Sequence, residues 1–432
     1  MVDRSTILNA FRPNSEIENP AAFAGRTREV RNLTDALLTD RSCPVIYGER
    51  GLGKTSLAVQ MARIALGDSA LLEQVGASGS ILSADEVFVP FIVSCSDATR
   101  NKDEILQRLI NTAEGYKTLA GLEGREADSA TSRKKLNLKV FELESTKNFS
   151  AAEKRKHSRL NVEDRLLAVI DAIQASGIHK FLFVIDELDR AANTDGLANF
   201  IKNASSDSVK FLLVGIANNI STLVSGHESI ERNLQPVRVR TMNRAELAEI
   251  VERALALLRG NGVEIDVAPD ATERLVSAAG GYPWFVHILG QEALRSVWDS
   301  KRSTIQATDV DEAIRALAQN RFAQQFSDAY QMAVRDSRTR EIVLRLIAKW
   351  PENDVPLSEV YPVAKRLGVS NPSVSKKDLM LVRHGSVILA PPEHERGVVR
   401  FRNAVFKRSI NLRHSIYSGV RGEVDEAWGN RT

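Results

Sequence analysis

From residue 21 to about 266, apolar positions switch repeatedly between spaced helical stripes and short unbroken runs. Val30, Leu33, Ala36 and Leu37 recur at helical spacing, and Val45-Ile46-Tyr47 then forms an unbroken run that enters a glycine-rich turn and a helix over 56–66. The alternation continues with VFVPFIVSC (87–95), a helix around NKDEILQRLINTA, the amphipathic VEDRLLAVIDAIQASG closed by Gly177, and the run in HKFLFVIDELDRA. SVKFLLVGIANNIS and PVRVRTM follow, the latter leading into a helix opened by Asn243 to Glu246. Runs apolar at every position suit strands covered on both faces. Strand–helix alternation of this kind predicts an α/β core with a doubly wound parallel sheet.

The pattern then changes twice. From Ala268 to about Ala333 only helical stripes remain, with Thr308 placed to cap one of them. This predicts an all-α lid domain over 267–335. TREIVLRLIAKW, PLSEVYPVAKRLG and NPSVSKKDLMLVRHG are then helices, and SVILAPPEHERGVVRFRN reads as two short strands around a polar turn. Helix, helix, helix, hairpin is the order of a winged helix-turn-helix, here over 336–422, before a loose tail over 423–432. Residues 1–20 read as an irregular polar lead-in. Within the 21–266 core, about 115–160 is charged, Ser-rich and without sustained periodicity, so it reads as a solvated insertion. No repeat at solenoid period is visible.

Composition narrows the class without naming an activity. A chain of 432 residues exceeds one core, and 43% hydrophobic with 26% charged residues is ordinary for a globular protein. A net charge of +3 gives no whole-molecule field for nucleic acid, so any such case rests on local patches. Cys43 and Cys95 form neither a metal spacing nor a disulfide framework, which suits a cytoplasmic protein. The first residues lack the apolar core of a signal peptide, and the longest apolar runs are strand length.

The chemistry concentrates at PVIYGERGLGKTSL, residues 44–57, which fits G-x-x-x-x-G-K-[ST]. Gly48, Gly51 and Gly53 let successive backbone N–H groups converge on a phosphate, with Glu49, Arg50 and Leu52 carrying the turn and Ser56 following it. The helix N-terminus behind adds partial positive charge. Lys54 reaches the outer phosphates of ATP, and the Thr55 hydroxyl is placed to ligate Mg²⁺. A glycine turn without ligand is the bland alternative, and the strand before and helix after argue against it. Asp186-Glu187 falls at the C-terminal end of the FLFVID run, where ligands of open α/β sheets lie. Asp186 is then a second Mg²⁺ ligand and Glu187 a general base for the attacking water. Alone, the pair reads equally well as carboxylates offsetting a helix dipole.

The order FAGRTREV, GERGLGKTS, FLFVIDELD, FLLVGIANN, a helical lid with GGYPW, then a winged helix, resembles AAA+/STAND-class P-loop ATPases. The subgroup it is most similar to is the origin-recognition/Cdc6-like and archaeal-type ATPases. The resemblance covers the chain apart from the insertion and both tails. It implies that Gly25-Arg26 packs near the adenine. It further implies that Asn218 is the polar sensor of the γ-phosphate and that Arg232 is supplied to a neighbouring subunit's nucleotide, with Arg238 and Arg240 as competitors. The GGYPW stretch departs from the Cdc6-like pattern, which has a lid arginine there. It resembles instead the Gly-x-Pro signature of STAND proteins, whose proline (Pro283 here) lies against the nucleotide. That favours a slow switch over a fast motor.

Two functions stay open. One is an ATP-hydrolysing switch for nucleotide-dependent assembly or signalling, as in bacterial defence or regulation, working as a homo-oligomer or on a separate effector protein. The other is a DNA-binding ATPase of replication, transposition or transcription whose winged helix contacts duplex through Lys376, Lys377, Arg383, His384, Arg400, Arg402, Lys407, Arg408 and Arg413. The third helix lacks the dense Arg/Asn/Gln set of base readout. A phosphotransferase fits less well, since the acidic pair suits activation of water.

Overall fold

The computed structural model describes residues 4–83, 86–123, 160–175, 180–215, 232–317, 326–351, 354–390, 397–401 and 404–429. The chain forms two compact units, Asn14–Met242 in one and Met1–Pro13 with Asn243–Thr432 in the other. A short helix, α1 (Arg4–Leu8), opens the described chain and belongs to the second unit.

The Asn14–Met242 unit holds α2 (Thr27–Leu38), β1 (Cys43–Tyr47), α3 (Lys54–Ala65), α4 (Ala70–Gln74), β2 (Val89–Ser94), α5 (Lys102–Glu123), α6 (Val162–Gln174), β3 (Phe181–Asp186), α7 (Leu197–Ala204), β4 (Val209–Gly215) and β5 (Leu234–Arg238). The strands form one parallel sheet in the order β2-β3-β4-β1-β5. Every residue of β3 and β4 is buried, Asp186 and Lys210 included, as mostly apolar strands covered by helices on both faces require. Phe183 stacks on Phe91 at 5.4 Å and on Phe211 at 5.3 Å, so three adjacent strands share an aromatic layer. β5 is one of the two edge strands, leaves three of its five residues exposed, and tolerates Pro236 because an edge needs fewer N–H donors. Register brings Tyr47 opposite Gly215 and Ser94 opposite Asp186, so several strands end together on one edge of the sheet. Most of the charged insertion expected over 115–160 lies outside the described residues, as α5 ends at Glu123 and description resumes at Leu160.

The second unit continues with α8 (Arg244–Gly260), β6 (Asp266–Val267), α9 (Pro269–Ala279), α10 (Pro283–Asp299), β7 (Thr304–Ile305) and α11 (Ala307–Ala316), the helical lid. Asn243 and Glu246 close a capping box at the start of α8, as their spacing predicts. The GGYPW stretch is helix punctuation: Gly280 ends α9 in the left-handed conformation, and Pro283 occupies the first turn of α10. The lead-in is not irregular throughout, since Arg4–Leu8 is helical. Ile7 and Phe11 are buried, and a Cβ added at Gly290 would lie 2.6 Å from the Phe11 ring, so the glycine makes room for it in α10.

Beyond the lid lie α12 (Ser327–Val334), α13 (Arg338–Lys349), β8 (Asp354–Pro356), α14 (Leu357–Arg366), α15 (Pro372–Met380), β9 (Ile388–Leu389), β10 (Val398–Phe401), α16 (Ala404–Leu412) and α17 (Val420–Gly429). The helices α13, α14 and α15 precede the antiparallel pair β9–β10, and β8 adds a third strand in the order β8-β10-β9, giving a winged helix. Its core contains one buried charged network. Glu341, fully buried, accepts from the Tyr330 hydroxyl (2.5 Å), Arg345 Nε (2.9 Å) and the amides of Ile416 and Tyr417 (3.0 Å each). Arg345 donates in turn to the Ile410 carbonyl at 3.1 Å. The network fastens the segment after α16 to α13. No described helix is long and apolar enough to cross a membrane.

Glu341→Gln keeps the shape of this network but leaves Arg345 buried without its counter-charge. A loss of about 3 kcal/mol is expected, since breaking one side of a buried pair costs several times a neutral hydrogen bond. Chemical denaturation followed by Tyr and Trp fluorescence reads it; an unchanged midpoint would show the pair contributes nothing net.

Candidate functional site

The phosphate loop leaves β1 at the buried Gly48, whose Cα faces the carbonyl of Val239. A Cβ there would stand 2.5 Å from that oxygen, closer than side chains pack. Gly51 and Gly53 both have φ +84°, in the left-handed region that glycine enters without strain. Gly53 is the N-cap of α3, so Lys54 and Thr55 open the helix and its unpaired N–H groups face the loop. The Lys54 side chain turns back over the loop, and Nζ donates to the Glu49 carbonyl at 2.8 Å. Burial pulls the Lys54 pKa below the ordinary lysine value, opposed by the charges of Asp189, Asp186 and Glu49. A phosphate at the loop would oppose that shift in the same way.

Asp186 ends β3 on the same edge of the sheet. It is 3% exposed, and burial raises its pKa above the usual carboxylate range, while hydrogen bonds from Thr55 and the Glu187 amide lower it. The Glu187 N–H···Asp186 Oδ1 distance is 2.6 Å. The two expected Mg²⁺ ligands, Thr55 and Asp186, are therefore in direct hydrogen-bond contact. A hydroxyl and a desolvated carboxylate are the hard oxygen donors that Mg²⁺ takes, and a cation would offset the cost of burying Asp186. Among the described residues no cluster of His, Cys, Asp and Glu could hold a metal by itself. A cation held by one carboxylate, one hydroxyl and substrate phosphates needs no such cluster.

Glu187 adopts φ +51°, left-handed and costly by roughly 1–2 kcal/mol for a residue with a Cβ. Strain of this kind gathers at functional sites. Its carboxylate Oε2 accepts from Arg190 Nη1 at 2.7 Å, and Arg190 also grips Asp97 through Nε (3.0 Å) and Nη2 (3.2 Å). Sequence reading did not single out Arg190 or Asp97. Arg190 was visible in principle, three positions after Glu187; Asp97 comes from the loop after β2 and carries no local signal. That loop is braced by Arg108, which donates to the Ser94 carbonyl at 2.7 Å, and Cys95 within it is pushed up to about 11, chiefly by burial.

The remaining expected residues fall in several places. Arg26, 3% exposed, holds two backbone carbonyls, Arg240 at 2.6 Å and Leu52 at 2.9 Å, with Glu29 3.7 Å away. Its guanidinium braces the phosphate loop from behind. Ser56 accepts from the Ile17 amide at 3.1 Å. Arg50 is exposed on the loop, and Leu52 is buried beneath it. Arg232 is exposed just ahead of the edge strand β5, and Arg238 and Arg240 are exposed as well. Asn218 lies outside the described residues. Pro283 belongs to the other unit, as the first residue of α10.

Residues 8–365 match the profile of the family described as Novel STAND NTPase 1. The Walker-type ATPase of Pyrococcus abyssi is similar in structure, with a TM-score of 0.52 at 16% identity, over 92% of this chain and 98% of that one. The ORC2 protein of Aeropyrum pernix, solved in ADPNP–ADP complexes, gives a TM-score of 0.50 at 14% identity, over 99% of each chain. At these identities the likeness is one of fold. No curated protein matches the chain.

Gly48→Ala places a methyl against the Val239 carbonyl, so the loop must open or the chain at Val239 must shift. The expected cost is about 1–3 kcal/mol, with ATP binding weakened about tenfold or more. Titration with a fluorescent ATP analogue reads it, and wild-type affinity would show that the approach is not needed for the loop.

Proposed function

The chain belongs to the Novel STAND NTPase 1 family, and from that premise we propose that it is an ATP-hydrolysing conformational switch acting on a second copy or a separate effector protein. It is a P-loop NTPase of the STAND and origin-recognition type. The observation that carries the hydrolytic reading is the meeting of Lys54, Thr55 and Asp186 at one edge of the sheet, with Glu187 next in sequence. In this reading the loop amides and Lys54 hold the triphosphate, and Thr55 and Asp186 hold Mg²⁺. The cation offsets charge on the phosphate oxygens. Glu187 takes a proton from water as its oxygen attacks the γ-phosphorus, and ADP leaves with the bridging oxygen. Asn218 is assigned the γ-phosphate contact by resemblance, and Pro283 the nucleotide contact of the lid.

A switch rather than a motor is supported by the state of the base. Glu187 is held by Arg190 through Oε2 alone, in a half-exposed pair that competes with its approach to water. Arg232 is assigned to the nucleotide of a neighbouring subunit, where an arginine is typically worth ~10³–10⁵ in turnover. Exposure beside the sheet edge supports that assignment.

Duplex binding by the winged helix finds less support. Arg400 is buried in a two-point pair with Asp354 (2.5 and 2.7 Å), and His384 and Lys407 are buried. Arg383 is exposed beyond α15, 3.4 Å from Asp378, and on α15 itself Lys377 is exposed while Lys376 is half-buried. Arg402 and the Arg408 side chain lie outside the described residues. Phosphate tracking needs several free cations on one face.

Lys54→Ala is expected to abolish ATP binding, whereas Glu187→Gln keeps binding and loses turnover by about 10²–10⁴, the usual worth of a positioned base. Equilibrium binding and phosphate release on both variants test this; full turnover in Glu187→Gln removes Glu187 as the base. For Arg232, specific activity should rise with protein concentration, and mixing Arg232→Ala with Glu187→Gln subunits should restore part of it. Absence of rescue at every ratio argues against a shared site.

A further inference from the structure

The chain passes between its two compact units twice, at Pro13–Asn14 and at Met242–Asn243. Within the core unit, both crossings are hydrogen-bonded to the phosphate loop or to the helix it opens. At the first, the Ile17 amide donates to Ser56 Oγ at 3.1 Å, and Gln60 Nε2 donates to the carbonyls of Ile17 (2.5 Å) and Glu18 (2.9 Å). Ser56 and Gln60 are one turn apart on α3 and present the same face. Gln60 is fully buried, so water cannot replace these bonds.

At the second crossing the phosphate loop itself is held. The Val239 amide donates to the Tyr47 carbonyl at 2.8 Å, and its own carbonyl lies against Gly48. One residue on, Arg26 joins the Arg240 carbonyl to that of Leu52, the peptide that precedes Gly53. A guanidinium is a planar fork, so the two carbonyls it grips shift together or one buried bond breaks. Asn243 then caps α8, so the chain enters the lid two residues after Met242's neighbour Thr241.

In the second unit the first crossing is anchored just as tightly. Trp284 Nε1 donates to the Pro13 carbonyl at 2.8 Å, the Arg12 amide to His287 Nδ1 at 3.3 Å, and Gln291 Nε2 to the Leu8 carbonyl at 2.6 Å. Positions 284, 287 and 291 form one stripe of α10, and Phe11 fills the notch at Gly290 on the same helix. Burial, with Arg12 adding to it, lowers the His287 pKa to about 4, so its ring stays a neutral acceptor.

We propose that Gln60 and Arg26 are positioning residues that carry the state of the phosphate loop into the two crossings, and so to the lid. Gln60 links α3 to the strap that ends on α10, and Arg26 links Leu52 to the segment that becomes α8. Closure of the loop and the first turn of α3 on a triphosphate then pulls both crossings at once. Hinge segments of this kind are the usual place where a small shift at a site becomes a domain movement. The inference rests on the loop being the nucleotide site, which the test checks separately.

The test is hydrogen–deuterium exchange on the full chain, with and without Mg²⁺ and a non-hydrolysable ATP analogue, in the wild type, Arg26→Gln and Gln60→Leu. In the wild type the analogue should slow exchange about threefold or more over 48–56, 14–20 and 239–246. Arg26→Gln should keep the response of 48–56 and 14–20 while that of 239–246 falls to about onefold, and Gln60→Leu should silence 14–20 alone. A general loss of stability would not divide the response by crossing. If either variant fails to fold, the other still reads its own crossing. Protection of 48–56 with both crossings silent in the wild type overturns the coupling and leaves the nucleotide site standing. Equal responses in wild type and variants overturn the roles of Arg26 and Gln60, and no protection at 48–56 in any protein overturns the nucleotide site itself.

Discussion

Gly48 sits against the backbone of Val239 at a distance that admits no side chain, and much of the core follows from that approach. It fixes where β1 turns into the phosphate loop, and the Val239 amide bond to Tyr47 fixes how the edge strand continues beside it. Arg26 then ties the far end of the loop, at Leu52, to Arg240 on the same segment. A flexible glycine loop is thereby held at both ends by backbone that leads directly out of the core. Such a loop loses conformational entropy before any ligand arrives, and what it gains is a set of N–H groups already aimed at one point.

Central features of the core and the site were legible because they are local. β1, the loop and α3 form one continuous stretch, β3 and β4 are apolar runs broken by Asp186 and Lys210 alone, and the Asn243–Glu246 capping box lies within four positions. The missed features are pairings over long sequence separations. Asp97 meets Arg190 across 93 positions, and Arg26 reaches the Arg240 carbonyl across 214. Phe11 and Arg12 read as part of a polar lead-in because their partners, Gly290 and His287, are some 275 positions away. Arg26 shows the limit of motif transfer: a Gly-Arg step ahead of a helix said that the arginine matters, and only the fold shows it gripping main-chain carbonyls. Ser56 is similar, since its neighbour Thr55 faces Asp186 while its own hydroxyl faces the N-terminal strap.

Consecutive residues at the start of α3 thus face different tasks. Lys54 turns back over the loop, Thr55 turns toward Asp186, and Ser56 and Gln60 turn toward residues 17 and 18. A helix is stiff along its axis, so a shift at its first turn is delivered nearly undiminished one turn later. The α-helix that opens at the loop and carries Gln60 one turn on is in that sense a lever arm. The GGYPW stretch gains a second meaning from the same geometry. Its proline starts α10, while its tryptophan holds the Pro13 carbonyl, so the lid signature also anchors the strap.

Two kinds of bond, one buried and one exposed, surround the loop and the carboxylate pair. The bonds of Gln60 and Arg26 are buried and lack a solvent alternative, which suits parts that must move together in every state. The Glu187–Arg190–Asp97 chain is exposed enough for water and ions to compete for it, which suits a contact that is made and broken. The observed division places rigidity between site and hinge and lability at the base. Under the switch proposed above, buried bonds suit parts that move together and exposed ones suit a contact, Glu187 with Arg190, that is made and broken.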